Sequence, residues 1–263
     1  MATYLDRILA SHRARAAADR RDVADLLELA KRAPSARGFA ASLSTDAGVS
    51  VIAEVKRASP SKGALAPDLD PGDLAAAYER GGAAALSVLT DREFFSGSPE
   101  DLQQARAAVA VPVLRKDFTL SAGDVVDAKL MGADAVLLIV AALSTSELAE
   151  LISVANSVGL DALVEVHDEE EAGVALEVGA TLIGVNQRDL LTFEVDTNRA
   201  VRVAATLPGG VVRVAESGIG SAQDVKPLAD AGFDAVLVGE SLVRSADPEQ
   251  AVRSLRLPAR VAR

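Results

Sequence analysis

Apolar and polar positions follow two alternating patterns over most of the chain. Short runs rich in Val, Ile, Leu and Ala are separated by longer stretches with helical spacing, such as 73–80 and 146–158. This alternation is typical of βαβ units around a buried parallel sheet. Eight runs in one unbroken series favour a closed (β/α)8 TIM barrel over an open sheet. The predicted strands are 49–56, 84–89, 112–116, 134–140, 161–166, 181–186, 211–216 and 234–239.

An internal repeat supports the closed barrel. The segments GGAAALSVL, MGADAVLLI, VGATLIGV and AGFDAVLVG contain the marker glycines Gly82, Gly132, Gly179 and Gly232, which are 50, 47 and 53 residues apart. Each glycine is predicted to end a helix in the left-handed conformation, before a short turn into a strand. A solenoid can also produce such a period, but these strands share no side-chain motif from repeat to repeat.

The chain is therefore predicted to form one domain over 1–263, with the barrel at 49–256. Residues 1–45 precede the alternation, and their helical spacing predicts one or two added helices that could cover one end of the barrel.

Composition and charge exclude several classes of protein. The chain has 263 residues, 49% of them apolar, and no cysteine, which excludes disulfide scaffolds, thiolate metal sites and a cysteine nucleophile. Lys and Arg number 27 against 38 Asp and Glu, and the net charge of −11 argues against a nucleic-acid partner. The longest apolar run, 135–143, is nine residues, whereas a membrane span needs about 20. The amino terminus lacks the apolar core of a signal peptide. We expect a cytoplasmic protein that does not bind membranes.

Polar side chains interrupt the apolar pattern where five predicted strands end. A single charge there could simply flank a strand in a solvated loop, but the carboxyl ends of barrel strands form the active-site floor. Five strands with the same kind of ending predict a functional cluster. Its candidate residues are Glu54, Lys56, Lys116, Glu165, Asn186, Arg188, Glu216 and Ser217.

Glycine-rich loops after the last two strands predict a phosphate site. The segments 216–220 and 239–241 bring Gly218 and Gly239 to the place where barrels commonly bind phosphate through backbone N–H groups. The polar loop 58–63 after the first strand could act as a mobile lid. His12 and His167 have no convincing ligand-spaced partner, so we interpret them as surface or structural residues and predict no metal site.

An ordered set of motifs resembles the indole-3-glycerol phosphate synthase family over nearly the whole chain. The motifs are YLDRIL near the amino terminus, IAEVKRASPSKG at 52–63, FFSGS at 94–98, LRKDF at 114–118, LVEVH at 163–167, GVNQRDL at 184–190, AESGI at 215–219 and VGESL at 238–242.

The resemblance implies a (β/α)8 barrel with an added helical segment and no cofactor. It also implies closure of the pyrrole ring of 1-(2-carboxyphenylamino)-1-deoxy-D-ribulose 5-phosphate in tryptophan biosynthesis, with loss of CO2 and water. Lys116 would be the general acid at the ketone oxygen, and Lys56 would hold the benzoate carboxylate. Glu165 and Glu54 would handle protons in the dehydration, in an order that stays open.

The resemblance implies further roles in binding. Asn186, Arg188, Glu216 and Ser217 would form the polar frame that orients the substrate and the catalytic lysines. The anthranilate ring would be lined by Phe95, Phe118 and Leu190, and the phosphate would be held near Ser59, Gly218, Gly239 and Glu240.

Two positions depart from the family pattern. Gln187 stands where Asn is common, and we expect its side chain to point outward. Glu240 stands where Ser is common, and a carboxylate facing phosphate would repel it, so only its backbone N–H is expected to face in.

Three alternatives compete with this interpretation. A related phosphosugar barrel such as phosphoribosylanthranilate isomerase is disfavoured by the absence of Cys and by the Lys and Glu set. A catalytically silent barrel is disfavoured because Lys116 and Glu165 are present. The third alternative, one half of a fused pathway enzyme, is disfavoured because the sequence ends shortly after the last predicted barrel helix. We expect a small phosphosugar-anthranilate substrate and a monomer or weak homo-oligomer.

Overall fold

Eight parallel strands close into a barrel in the computed structural model, which describes residues 3–44, 48–60 and 62–257. Each strand pairs with its neighbours in chain order, and β1 pairs with β8 to close the ring. The predicted (β/α)8 barrel and all of its predicted strands are confirmed. The strands are β1 Ser50–Val55, β2 Ala85–Leu89, β3 Val113–Lys116, β4 Ala135–Ile139, β5 Asp161–Val166, β6 Leu182–Asn186, β7 Val212–Glu216 and β8 Ala235–Val238.

Three helices precede the first strand, and the others follow the strands, most of them packed on the outside of the barrel. Most begin at a Ser, Thr or Asp whose side chain accepts a hydrogen bond from the first turn, as Ser144 does from the backbone of Glu147. The helices are α1 Tyr4–Ala18, α2 Val23–Arg32, α3 Phe39–Leu43, α4 Pro71–Gly81, α5 Arg92–Phe95, α6 Pro99–Ala108, α7 Ala122–Met131, α8 Thr145–Ser157, α9 Glu169–Glu177, α10 Arg199–Ala204, α11 Ala222–Asp230, α12 Glu240–Val243 and α13 Pro248–Leu255, with a 3-10 turn at Val140–Ala142.

The four repeat glycines end helices as predicted. Gly82, Gly132, Gly179 and Gly232 all have φ between 82° and 93°, a conformation that costs glycine little because it lacks a Cβ. The sharp turn that follows each one leads the chain into the next strand.

The amino-terminal helices reach both ends of the barrel. On α1, His12 Nε2 lies 2.8 Å from an oxygen of Asp91, which follows β2 at the carboxyl end of the strands. The short helix α3 buries Phe39 and Leu43 in the barrel interior, and the backbone N–H of Ala40 donates to Asp161 at the amino end of β5 (2.9 Å). The added helical segment is confirmed, but it contains three helices rather than one or two, and the short third helix lies at the opposite end of the barrel. The predicted boundary of this extension at residue 45 lies outside the described residues.

The core has two layers. One lies between the strands and the outer helices, and the other fills the lower part of the barrel interior. Among the described residues, no helix combines the length and the apolar character needed to cross a bilayer.

Candidate active site

A cavity of about 560 Å³ opens at the carboxyl ends of the strands. Every site residue predicted from the sequence lines it. They are Glu54, Lys56, Ser59, Phe95, Lys116, Phe118, Glu165, Asn186, Arg188, Leu190, Glu216, Ser217, Gly218, Gly239 and Glu240.

The cavity floor is charged because of the two-residue period of the strands. Residues two apart share one face of a strand, so the inward face can carry an apolar residue low in the barrel and a charged residue above it. The low residues belong to the buried interior cluster, and the high residues line the cavity. The pairs are Ile52 and Glu54, Leu114 and Lys116, Leu163 and Glu165, and Val214 and Glu216.

Lys116 is the central cation of the floor. Its Nζ lies 3.7 Å from Oε2 of Glu165, and its side chain is 18% exposed. Burial alone would lower the pKa of Lys116, but the negative charges of Glu165, Glu216 and Glu54 outweigh it and raise the pKa above its ordinary value. The ammonium is therefore fully protonated at neutral pH.

Glu54, on β1, forms an ion pair with Lys56, which directly follows that strand. Their Nζ and Oε1 atoms are 2.5 Å apart. Burial pushes the pKa of Glu54 upward, but the charges of Lys56 and Lys116 more than compensate and lower it. Glu54 is thus an ionised carboxylate able to accept a proton.

Gly239 makes room for this ion pair. A Cβ at Gly239 would collide with Oε1 of Glu54 and lie 3.0 Å from Nζ of Lys56. Gly239 was predicted only as part of a phosphate loop. The structure shows a second requirement for glycine here, because a side chain would displace the ion pair.

The pKa of Glu216 is shifted in the opposite direction to that of Glu54. Burial first, and then the charge of Glu165, raise the pKa of Glu216 well above its usual value despite the cation of Lys116. Gly184 on β6 leaves the space that this carboxyl group fills, since a Cβ there would collide with Oε1 of Glu216. Sequence reasoning missed Gly184, because a glycine inside a strand signals a close approach without naming the neighbour.

Polar residues after β6 and β7 hold the cavity rim in place. The backbone N–H of Arg188 donates to Oδ1 of Asn186 (3.0 Å), and the guanidinium of Arg188 donates to the carbonyl of Phe193 (2.9 Å). Gln187 does not line the cavity. The side chain of Gln187 is buried away from the cavity, and its Nε2 donates to the carbonyl of Ser217 (2.8 Å). This bond stabilises Ser217 in its left-handed conformation, with φ of 69°.

An aromatic wall stands above the floor. The rings of Phe95 and Phe118 are 6.4 Å apart at 38°, and the ring of His12 lies 5.4 Å from Phe118. Of the two roles predicted for His12, surface or structural, the structural one fits, because the side chain is buried and bonded to Asp91. Such contacts span distant parts of the chain and leave no spacing pattern in the sequence.

One acidic cluster near this wall has metal-like geometry. Ligand atoms of His12, Asp91 and Asp117 lie within 4.8 Å of one another. Both carboxylates already face cations, since Arg115 is 2.8 Å from Asp117 and Arg15 is 3.7 Å from Asp91. The cluster ties α1 to the loops after β2 and β3 without requiring an ion.

The loops after β7 and β8 meet at the far end of the cavity. Gly218 has φ of 74°, and a Cβ there would lie 2.5 Å from Cγ1 of Val195. The hydroxyl of Ser241 donates to the carbonyl of Ile219 (3.3 Å) and joins the two loops.

Glu240 and Arg244 add opposite charges at this end. Oε1 of Glu240 lies 3.7 Å from Nε of Arg244, and both residues line the cavity. Arg244 was missed, although its position four residues after Glu240 is the spacing of a helical ion pair.

The loop after β1 contains a small antiparallel hairpin, Ala58–Ser59 with Gly63–Ala64. Arg57 anchors its base through Asp101, with Nε 2.9 Å from Oδ2. Ser61, within the segment predicted as a lid, lies outside the described residues.

His167 lies beside the cavity floor, and only the structural half of its interpretation as a surface or structural residue fits. Its Nε2 is 3.5 Å from Oε1 of Glu165, and its Nδ1 is 3.0 Å from Oε2 of Glu171. Its side chain is largely covered, so it is not a surface residue. This contact was not predicted; the only signal in the sequence is that His167 follows Glu165 by two residues, the spacing of side chains on one strand face.

Comparison with known proteins gives a consistent picture. The family model described as indole-3-glycerol phosphate synthase matches residues 5–255. The indole-3-glycerol phosphate synthase of Mycobacteroides abscessus is 52% identical over 96% of this chain and 93% of its own length. That of Chlorobium phaeovibrioides is 50% identical over 88% of each chain.

Solved structures with low sequence identity share the fold. A 3-hexulose-6-phosphate synthase aligns with a TM-score of 0.63 and 16% identity, over 79% of this chain and 98% of its own. A thiamine phosphate pyrophosphorylase from Pyrococcus furiosus aligns with a TM-score of 0.59 and 18% identity, over 79% of this chain and 93% of its own. At such identities the likeness concerns the barrel alone.

Proposed function

The chain belongs to the indole-3-glycerol phosphate synthase family, and from this premise we propose how its side chains divide the work of the reaction. The enzyme is a carboxy-lyase of tryptophan biosynthesis. It converts 1-(2-carboxyphenylamino)-1-deoxy-D-ribulose 5-phosphate into indole-3-glycerol phosphate, CO2 and water.

The observation that carries the proposal is the arrangement of two lysines among three buried glutamates. Lys116 faces Glu165 at 3.7 Å, and Lys56 pairs with Glu54 at 2.5 Å, all at the mouth of one barrel. The environments of the glutamates differ, so that the pKa of Glu54 is lowered and the pKa of Glu216 is raised. Carboxyl groups whose pKa values are pushed apart within one cavity are what acid and base steps require.

Lys116 acts first, in ring closure. The ring carbon that bears the carboxylate attacks the ketone carbon, and negative charge grows on the ketone oxygen. The protonated ammonium of Lys116 stabilises that charge and donates its proton to the oxygen. Glu165, at 3.7 Å, keeps the ammonium protonated until the substrate arrives.

Lys56 holds the carboxylate that leaves as CO2. Its ammonium is positioned by Glu54, and a cation at the benzoate fixes the ring over the ketone in a reactive geometry. Loss of CO2 returns the bonding electrons to the ring and restores its aromaticity, so this step requires no electron-accepting cofactor.

Glu54 and Glu165 then share the dehydration. Glu54 is ionised because of the cations around it, and it removes a proton from the methylene next to nitrogen. Glu165 takes up one proton that comes from solvent and delivers it to the leaving hydroxyl, which departs as water. The sequence left this order open, and the difference in surroundings between the two carboxylates supports the assignment.

Binding groups surround these reacting groups. Phe95, Phe118 and Leu190 line the part of the cavity proposed for the anthranilate ring. The phosphate is proposed to lie against the backbone at Gly218 and Gly239, near Ser59 and the backbone N–H of Glu240, with Arg244 offsetting the carboxylate of Glu240. Asn186, Arg188 and Ser217 orient the ribulose chain between the two sites.

The wider setting is also proposed. A cytoplasmic location, a monomer or weak homo-oligomer, and no nucleic-acid partner fit a small charged substrate and a net charge of −11.

The test is incubation of the purified protein with the carboxyphenylamino-deoxyribulose phosphate. We expect indole fluorescence to appear together with one equivalent of CO2. Release of CO2 without an indole product, or no turnover at all, would contradict the proposal.

A further inference from the structure

His167 connects a buried glutamate of the floor to the protein surface. Its Nε2 lies 3.5 Å from Oε1 of Glu165, and its Nδ1 lies 3.0 Å from Oε2 of Glu171, which also accepts the backbone N–H of His167 at 2.7 Å. The exposed fraction of the side chain rises outward, from 1% for Glu165 to 12% for His167 and 22% for Glu171. The three residues therefore form a chain of acid and base groups that leads from the cavity to solvent.

The hydrogen bonds of His167 fix which nitrogen faces the cavity. Glu171 can only accept, so Nδ1 carries a proton and Nε2 faces Glu165. Nε2 has no hydrogen-bond partner within the described part of the chain. A neutral imidazole would then point a lone pair at a carboxylate oxygen, and the two would repel each other. A proton on either atom turns this contact into an attraction, and such bonds often tighten only when substrate binds.

The reaction needs such a proton. With the aryl carboxylate ionised, ring closure takes one proton to make the new O–H bond, and loss of CO2 neither takes nor gives one. In the dehydration the C–O bond breaks, one proton goes to the leaving hydroxyl, and one is removed from the methylene carbon. The site gives two protons and recovers one, so each turnover draws one proton from solvent. A substrate bound in the cavity of the proposed site would stand between the floor and solvent, so this proton needs another route.

The surroundings of His167 favour a stored proton. The charged groups that face it are Glu165 on β5, Glu171 at the start of α9 and Arg199 on α10. Burial lowers the pKa of the imidazole, and Arg199 lowers it further. The bond to Glu171 and the charges of both glutamates outweigh these effects and raise the pKa above its ordinary value.

We propose that His167 is a positioning residue that stores the missing proton and passes it to Glu165 during the dehydration, a step that rests on the function proposed above. The Nε2–H bond breaks as an O–H bond forms on Oε1 of Glu165. Glu165 then passes this proton to the leaving hydroxyl as the C–O bond breaks. The imidazole regains a proton from water on the side of Glu171.

Two variants test this in single-turnover kinetics. H167N keeps a donor toward Glu171 but cannot store a proton. Its rate of indole formation is expected to fall at least about tenfold, with little change in KM, and the fall in rate at alkaline pH should disappear. E171Q removes a charge that keeps the imidazole protonated, so its alkaline limb should move to lower pH. E170Q, an exposed substitution on the same helix, is the matched control and should leave rate and pH profile unchanged.

Nitrogen NMR gives a readout that is independent of activity. The chain has two histidines, so H167N assigns both imidazole signals. The titration of His167 should move to lower pH in E165Q and in E171Q, because each substitution removes a facing negative charge. An imidazole that is neutral from pH 6 upward, or whose titration ignores both variants, would overturn the proposal; so would H167N kinetics that drop equally at every pH. A wild-type protein that makes no indole product would instead overturn the proposed function.

Discussion

Replacing Gly184 by alanine is predicted to inactivate the enzyme while leaving its fold nearly intact. The new methyl group would collide with Oε1 of Glu216 and lie 3.2 Å from Cδ1 of Leu163. The colliding atom is the end of a side chain rather than backbone, so the carboxyl group can swing away. We therefore expect a loss of about 1 kcal/mol in the free energy of unfolding, the lower end for an overpacked core. For a chain of this size that corresponds to a fall of about 2–4 °C in Tm.

The catalytic cost of G184A should be much larger. Glu216 shares the cavity floor with Lys116 and Glu165, so its displacement changes the charges that hold both in place. A misplacement of about 1 Å in such a group costs on the order of 10²-fold in rate. The assay is kcat from indole fluorescence, with Tm measured on the same preparation.

Matched variants separate this effect from a general loss of stability. Gly173 on α9 would meet nothing within 4 Å if it carried a Cβ, so G173A should keep full activity and gain slightly in stability, since alanine favours helices. If Glu216 transmits the effect, adding G184A to an E216Q background should cost little more than E216Q alone. Wild-type kcat in G184A, or equal losses in both glycine variants, would refute the reasoning.

Three other perturbations probe the remaining parts of the site. Lys56→Met removes a cation that lowers the pKa of Glu54, so that pKa rises and the acid limb of the rate should move to higher pH; an unmoved limb would contradict Glu54 as the base. Glu240→Ser should lower KM about 1.5–5-fold, and Arg244→Ala should raise KM by a similar factor, as expected for half-exposed charges. If both variants kept the wild-type KM, the phosphate would bind elsewhere. Activity should survive dialysis against EDTA, and a loss that Zn²⁺ or Mg²⁺ restores would contradict a mechanism based on Lys and Glu alone.

The barrel was predictable from the sequence because local rules and the overall fold agree. Buried parallel strands read as continuous apolar runs, and the repeat glycines mark helix ends with φ near 90°. The floor was predictable for the same reason, since a charge such as Lys116 interrupts an apolar run at a strand end and the topology gathers all strand ends at one mouth.

What escaped prediction depends on contacts between distant elements. Gly184 lies on β6, but glycine is required there because the side chain of Glu216 on β7 occupies the space of a Cβ. His12 finds Asp91 across 79 positions, and no spacing rule reaches that far. His167 follows a predicted site residue by two positions, yet only its packing against Glu171 shows which nitrogen faces Glu165.

Lys116 as the proton donor in ring closure is the central claim, and K116M tests it most directly. Methionine keeps the length and apolar stem of the side chain but cannot donate a proton. K226M, which replaces an exposed lysine of α11, is the matched control. The measurement is the single-turnover rate of indole formation from the carboxyphenylamino-deoxyribulose phosphate, with Tm recorded for each variant. We predict a fall of about 10²–10⁴-fold for K116M, a wild-type rate for K226M, and folded protein in both. A K116M rate within a few-fold of wild type would contradict the account and move the acid role to another group.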